Sequence, residues 1–436
     1  MLAAASMKDR NLICGNAFAT QTEVAVGLRR PPTLLFGEIV ERYDLMAGNA
    51  LAILLALSLL AGGCASVPRA PFTEAEEDAA APSGLSAVRY WADAPASAFQ
   101  NTKRRAVPQK GRPFTYLALS GGGGGGAYGA GVLNGWTEAG ERPEFTIVSG
   151  VSTGALIAPF AFLGSAYDET LKQMYTSGQG EGLIEQANPL GAIFGNGLVS
   201  RAPLRRLVER YLSEDLLNAI AREDQKGRRL LVVTTDLDAQ RAVVWDMGAI
   251  AAAGGPQSFK LFRDVLAASA SIPVVFAPQL IDVQTADRSF QEMHVDGTVS
   301  APIFTLPDAV LFGGKKVAAG SARPDLYVIV NSRIDPGFEI VPNQAEAIAA
   351  HSFSTMNRIA TKAVLAQTYN AAASEGFRFH LSYIGKDHPE SGGTGFETVS
   401  MRALYEYGYE KARAGSFWVT KLSQVEAAKE AATASR

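Results

Sequence analysis

Short apolar runs alternate with longer helical patterns over most of the chain after residue 113. Four runs of four or five residues, rich in aliphatic or β-branched side chains, are typical of buried strands. They are 115–119 (TYLAL), 145–148 (FTIV), 230–234 (LLVVT) and 326–330 (LYVIV). Stretches between them, such as 204–212 and 353–366, have the pattern of helices. This alternation predicts one large α/β domain, with a mostly parallel sheet covered on both faces.

The N-terminal part follows a different pattern. Its longest apolar run, residues 50–61 (ALAILLALSLLA), is too short for a membrane-spanning helix of about 20 residues. It matches the apolar region of a secretory signal, which has about 7–15 residues. Gly62 and Gly63 then precede Cys64, which resembles the lipobox of bacterial lipoproteins, where the cysteine is lipidated, although Ala61 replaces the usual leucine. The alternative for 50–61 is a short buried helix.

These patterns divide the chain into five segments. We expect translation to begin at Met46, with residues 1–45 a misassigned start or a leader, and a lipoprotein signal peptide at 46–63. Five prolines and few aliphatic residues indicate a tether from the lipidated Cys64 to residue 112. Within it, the cluster 88–91 (VRYW) is a candidate to dock on the body. The body then spans 113–420, and 421–436 forms a C-terminal tail.

Composition narrows the class of protein. Hydrophobic residues make up 47% and charged residues 19% of the chain, which excludes disorder and coiled coil for most of it. Forty basic and 43 acidic residues give a net charge of −3, and the one basic run, 103–105, is short, so we expect no nucleic-acid partner. Cys14 and Cys64 are the only cysteines, which excludes a disulfide framework and zinc sites built on several cysteines.

A run of six glycines, residues 121–126, follows the first strand of the body and precedes a helical stretch. Gly121, Gly123 and Gly126 satisfy the G-x-G-x-x-G pattern of dinucleotide sites. The acidic residue expected about 20 positions later, at the end of the next strand, is missing. Backbone N–H groups exposed by such a loop also suit an oxyanion hole, so both interpretations stay open at this point.

The second strand leads into a G-x-S-x-G motif, which is Gly150, Ser152 and Gly154 with Val151 and Thr153 between them. A strand, a tight turn and a helix are the context that this motif requires of a catalytic serine. The flanking glycines permit a sharp reversal of the backbone, and the helix that follows stabilises negative charge. We therefore expect Ser152 to be a nucleophile.

A serine nucleophile needs a base. The chain has four histidines, His294, His351, His380 and His388, and His380 and His388 have the chain order of an α/β-hydrolase triad. None lies in a supporting motif. Asp296 and Gly297, by contrast, follow a strand-like run at 290–295; an Asp-Gly pair alone usually marks a turn.

Together, the glycine-rich loop, the G-x-S-x-G after the next strand and the late Asp-Gly resemble the patatin-like phospholipases. Two further stretches look like the same family, 234–237 (TTDL) and 268–273 (ASASIP). The resemblance covers about residues 113–420. It implies a three-layer α/β/α fold with a mostly parallel central sheet.

The resemblance also implies a Ser-Asp dyad without a catalytic histidine, metal or cofactor. Ser152 would attack an ester carbonyl, Asp296 would act as its base, and loop amides would hold the oxyanion, with Gly121, Gly122, Gly123 and Gly124 as the candidates. A carboxylate serves as base if a dry site raises its pKa. The chain departs from the family pattern at Gly125, where an arginine or lysine is frequent, and at Thr298, where glycine or alanine is usual.

The sequence thus predicts a lipid-anchored serine acyl hydrolase of the cell envelope, favoured at the outer membrane and facing the periplasm. A lipid anchor would hold the enzyme at the surface of a lipid substrate. Two alternatives stay open. One is an esterase with a triad completed by His380 or His388, and the other is a non-catalytic lipoprotein that uses the fold as a binding scaffold.

Overall fold

The computed structural model describes residues 69–95, 106–107, 112–185, 201–273, 275–305, 323–388 and 396–425. The strands found in these ranges are β1 (Ala81–Pro82), β2 (Arg89–Trp91), β3 (Thr115–Leu119), β4 (Ile147–Val151), β5 (Arg229–Asp236), β6 (Arg241–Asp246), β7 (Gln279–Gln284), β8 (Ser289–Asp296), β9 (Asp325–Val330) and β10 (Arg378–Tyr383). The helices are α1 (Glu74–Ala79), α2 (Gly126–Glu138), α3 (Thr153–Leu163), α4 (Asp168–Thr176), α5 (Glu181–Glu185), α6 (Arg201–Tyr211), α7 (Glu214–Gln225), α8 (Met247–Ala253), α9 (Gly255–Ser269), α10 (Ala345–Glu375) and α11 (Thr398–Arg413).

One mixed sheet contains all of these strands. Five of them, in the order β5-β4-β3-β9-β10, are parallel, as expected from strands separated by helices. The other strands pair antiparallel. Short connections join β5 to β6 and β7 to β8, and such hairpins permit only antiparallel pairing. The prediction of parallel strand pairing is therefore confirmed for the half of the sheet from β5 to β10.

Apolar side chains cover both faces of the sheet. Along β3, Leu117 and Leu119 belong to a large cluster that includes residues of α2, α3 and α9. Tyr116 and Ala118 point the opposite way, into a second cluster that includes Leu365 of α10, because successive side chains of a strand alternate between faces. This arrangement confirms the three-layer α/β/α fold.

Two predicted elements have different bounds in the structure. The strand expected at 145–148 is β4, Ile147–Val151, since Ser149 and Gly150 of the glycine–serine motif continue the ladder with β5. The helix expected at 353–366 is the 31-residue α10. It runs to Glu375 because no glycine or proline interrupts it before Gly376, which has a φ of 81°.

Part of the predicted tether packs on the body. Residues 88–91, where docking was expected, contain β2, which pairs with β6, and β1 pairs with β7. Arg69 forms an ion pair with Asp238 over 2.5 Å, and Arg89 pairs with the buried Glu292. The packed body therefore begins well before residue 113. At the other end Val425 is buried, so the body also continues past residue 420.

Several expectations concern residues outside the described ranges. These are the leader at 1–45, the signal peptide at 46–63 and the lipidation of Cys64. Among the described helices, none combines the length and the apolar character that crossing a membrane requires.

The ends of two strands meet at one point on β5. β4 pairs with β5 up to Val151 opposite Val233, and β8 pairs with β5 from the other direction, down to Asp296 opposite Thr234. Since β6 pairs with β5 over both stretches, β4 and β8 must share the opposite edge. The C-terminal ends of β4 and β8 therefore meet along this edge, which places Ser152 next to Asp296.

Candidate active site

Ser152 occupies a strained turn between β4 and α3. Its φ of 55° and ψ of −125° are unusual for a residue with a side chain, and such strain is concentrated at functional sites. Gly154 makes the turn possible, because a Cβ there would lie 2.4 Å from the carbonyl oxygen of Leu119 and 2.6 Å from that of Ser120. The turn holds Ser152 at the N-terminus of α3, as the motif predicts.

The hydroxyl of Ser152 donates a hydrogen bond to Asp296. The Oγ–Oδ2 distance is 2.6 Å, and both residues are buried. The other carboxylate oxygen, Oδ1, accepts from the backbone N–H of Thr298 at 2.8 Å and from its hydroxyl at 2.7 Å. Thr298, a departure from the family pattern, thus holds the carboxylate in place.

Burial raises the pKa of Asp296 to about 6, while the hydrogen bonds from Ser152 and Thr298 act in the opposite direction. An ordinary aspartate has a pKa near 4 and is a weak base. A carboxylate whose pKa is closer to neutral accepts a serine proton more readily and is still ionised at pH 7. The site therefore contains a carboxylate with the proton affinity that a general base needs, without an imidazole.

Ser269 fixes the backbone of the nucleophile. The N–H of Ser152 donates to Ser269 Oγ at 3.0 Å, and that hydroxyl donates in turn to the carbonyl oxygen of Val233 at 2.6 Å. Sequence reasoning noted the surrounding stretch 268–273 but gave Ser269 no role. Its contact with Ser152 joins residues 117 positions apart, for which a single sequence carries no signal.

The glycine loop packs directly against this pair. A Cβ on Gly121 would lie 2.1 Å from Thr298 Cγ2 and 3.2 Å from Ser152 Cβ. The N–H of Gly121 donates to the carbonyl oxygen of Pro302 at 3.2 Å, so this amide is already engaged and is not the oxyanion donor that the sequence suggested.

Three other glycines remain as donors. In the part of the chain that the structure describes, no acceptor is found for the amides of Gly122, Gly123 and Gly124. They lie in the short turn that leads into α2 at Gly126, which is the expected strand–loop–helix setting. The candidate oxyanion hole is therefore narrowed to Gly122–Gly124.

Asn331 supports the loop and was not identified from the sequence. Its backbone N–H donates to Ser120 Oγ at 2.8 Å, and its side-chain amide donates to the carbonyl oxygen of Ser120 at 2.7 Å. A Cβ on Gly125 would lie only 2.2 Å from the carbonyl oxygen of Asn331. The position where relatives often have arginine or lysine thus has no room for a side chain in this packing.

The histidines lie in other environments. His380 on β10 contacts Asp325 at 2.9 Å and stacks on Tyr327, and three strand spacings of about 4.8 Å separate β10 from β4. His388 packs against Tyr407, and His351 lies 3.8 Å from Glu339. His294 bonds to Thr234. The partner found for the hydroxyl of Ser152 is Asp296, so the geometry favours the dyad over either triad.

Two comparisons relate this chain to known proteins. The family model described as patatin-like phospholipase matches residues 117–307, which include the glycine loop, Ser152 and Asp296. Among solved structures, VipD from Legionella pneumophila is similar, with 13% sequence identity, 71% of this chain and 68% of that chain covered, and a TM-score of 0.30. No curated protein sequence matches this chain.

The class of protein follows from the matched residues and the fold around them. The chain carries a patatin-like phospholipase domain over residues 117–307. This domain supports lipid acyl hydrolase activity in general.

Proposed function

We propose that this protein is a serine acyl hydrolase that cleaves lipid acyl esters through the dyad of Ser152 and Asp296. The observation that carries the proposal is the 2.6 Å hydrogen bond from Ser152 Oγ to Asp296 Oδ2. It joins a strained serine at a helix N-terminus to a buried carboxylate with a raised pKa.

Acylation of Ser152 and hydrolysis of the acyl-enzyme each need two proton transfers. As Ser152 Oγ attacks the ester carbonyl, its proton passes to Asp296 Oδ2, and amides of Gly122–Gly124 hold the oxyanion. The tetrahedral intermediate expels the alcohol, which takes the proton from Asp296. Water then attacks the acyl-enzyme and gives a proton to Asp296, and the collapse of the second intermediate releases the fatty acid and returns the proton to Ser152.

Hydrolysis by the full chain tests the dyad. We expect the protein to hydrolyse acyl esters, and Ser152→Ala and Asp296→Asn to be inactive while keeping the wild-type circular dichroism spectrum. Labelling of Ser152 by a fluorophosphonate is a second readout. An unlabelled serine and no hydrolysis of short or long acyl esters would favour the binding scaffold. Loss of activity in His380→Ala or His388→Ala would favour a triad.

We also propose that Cys64 carries a lipid anchor that holds the enzyme in the cell envelope, at the outer membrane and facing the periplasm. The twelve-residue apolar run followed by small residues and a cysteine supports this. A bacterial host supplied with labelled palmitate should incorporate the label into the wild-type protein but not into Cys64→Ser. A Cys64→Ser protein that is still labelled would contradict the anchor.

A further inference from the structure

A buried polar cluster lies on the same strand as the catalytic aspartate but has no part in the dyad. Glu292 and His294 precede Asp296 at alternate positions of β8, and Asp236 lies opposite His294 on β5. The side chains of Asp236, Glu292 and His294 are all fully buried. One donor atom from each of the three lies within 4.8 Å of the donor atoms of the other two.

Two of the three distances between the donor atoms match those of a tetrahedral metal site. His294 Nε2 lies 3.5 Å from Asp236 Oδ2 and 3.3 Å from Glu292 Oε2. Two ligands of a zinc ion, each about 2.0–2.1 Å from it, are about 3.3–3.4 Å apart in tetrahedral geometry. By contrast, a hydrogen bond from an imidazole N–H to one carboxylate is normally about 2.9 Å long. The ring nitrogen lies at similar, long distances from both oxygens.

The other face of the imidazole is held as a metal ligand requires. His294 Nδ1 lies 3.0 Å from Thr234 Oγ1, which also accepts a hydrogen bond from Trp245 Nε1 at 2.8 Å. An imidazole that donates its Nδ1–H to this oxygen directs the lone pair of Nε2 toward the two carboxylates. Metal-ligating histidines are commonly oriented by such a hydrogen bond from the other ring nitrogen.

Two carboxyl oxygens at the cluster lack an N–H or hydroxyl donor in the part of the chain that the structure describes. Arg89 donates to both carboxylate oxygens of Glu292, Oε2 included. Among the described residues, no N–H or hydroxyl group donates to Asp236 Oδ2 or to Glu77 Oε1 of α1. Both residues are more than nine-tenths buried, and the carboxyl of Glu77 lies within hydrogen-bonding reach of Asp236. Two acidic groups at that distance need a proton or a cation between them. Buried carboxylates normally have a partner, since desolvation of an unpaired charge is costly.

We propose that Asp236 Oδ2, Glu292 Oε2 and His294 Nε2 hold a divalent first-row metal ion, for which zinc fits the mixed nitrogen and oxygen donors. The ion ties β5 to β8 beside Asp296. Its role is structural, because the reaction at Ser152 does not pass through it.

Zinc binding to the full chain tests this site. The protein is stripped with a chelator, dialysed against zinc, passed through a gel-filtration column and analysed for metal per chain. We expect about one equivalent in the wild-type protein and a thermal midpoint several degrees above that of the stripped protein. Asp236→Asn, which keeps the shape of the side chain, and His294→Gln should lose both the zinc and the shift.

His380→Gln is the matched control, because it removes a histidine that contacts a carboxylate elsewhere in the sheet. It should retain one equivalent of zinc and the full thermal shift. Equal zinc retention in the wild type and in Asp236→Asn would overturn the proposal. So would a wild-type protein that keeps no zinc and shows no shift, since the carboxylates would then be balanced by protons alone.

Discussion

The raised pKa of Asp296 has a consequence for stability as well as for catalysis. Burial moves the pKa from 3.8 to about 6, so at pH 7 the folded protein holds a carboxylate in a place that disfavours the charge. Asparagine has the same shape without the charge. In Asp296→Asn the side-chain oxygen still accepts from Thr298, and the amide faces Ser152. We therefore expect the variant to be inactive but more stable than the wild type.

The size of the effect follows from the shift. A shift of about two units, at 1.36 kcal/mol per unit, amounts to about 3 kcal/mol. The sign of the effect on stability is that of a carboxyl whose folded-state pKa is raised. The protonated Asp296 contributes its full stability below the unfolded-state pKa of 3.8, and this contribution is lost as the pH rises through about 6. The variant should thus exceed the wild type by about 3 kcal/mol at pH 7, and the difference should shrink toward pH 4.

Urea denaturation at pH 7 and pH 4, followed by circular dichroism, measures this difference, and ester hydrolysis measures the loss of activity. Asp287→Asn is the control, because Asp287 is exposed and its substitution should change the free energy of unfolding by less than about 0.5 kcal/mol. An Asp296→Asn protein no more stable than the wild type at pH 7 would refute the reasoning. A gain of equal size at both pH values would do the same.

Three further predictions concern neighbouring positions. Thr298→Val removes one hydrogen bond to the carboxylate of Asp296, so the acidic limb of the pH profile of kcat/KM should move up by about one pH unit. Thr298→Ser keeps the hydroxyl and should leave the limb in place. An unmoved limb in the valine variant would contradict the role of the hydroxyl. His380→Gln should keep ester hydrolysis within about twofold, whereas a large loss would revive the triad. Gly154→Ala should lower the free energy of unfolding by about 3 kcal/mol in urea denaturation, because its Cβ meets two carbonyl oxygens; an unchanged value would show that the turn relaxes.

The local pattern of apolar and turn residues was sufficient to predict much of the fold. The aliphatic runs of β3, β5 and β9 are bounded by turn residues, and each forms a strand within two residues of its predicted ends. The nucleophile turn was also predictable, because glycine at positions 150 and 154 leaves few alternatives for the backbone. These features depend on residues close together in sequence, which is why sequence reasoning reached them.

The other features of the fold and of the candidate site depend on contacts between residues that are distant in sequence. Ser269 and Asn331 meet the site only after the sheet has formed, and the engagement of the Gly121 amide depends on the carbonyl of Pro302. The N-terminal segment has the composition of a linker, yet ion pairs such as that of Arg89 with Glu292 attach it to the sheet. Composition describes a segment alone and does not reveal the partners that it finds.

The topology of the sheet explains how Asp296 reaches the buried environment that the proposed dyad requires of its base. Strand ends at the edge of a parallel sheet face a solvent-accessible crevice, where the pKa of an aspartate stays low. Here β5 continues past the end of β4, and the antiparallel β8 fills the space beyond it. Asp296 is therefore enclosed by the sheet itself and is fully buried. The antiparallel half of the sheet thus creates the dry environment that makes this aspartate a suitable base.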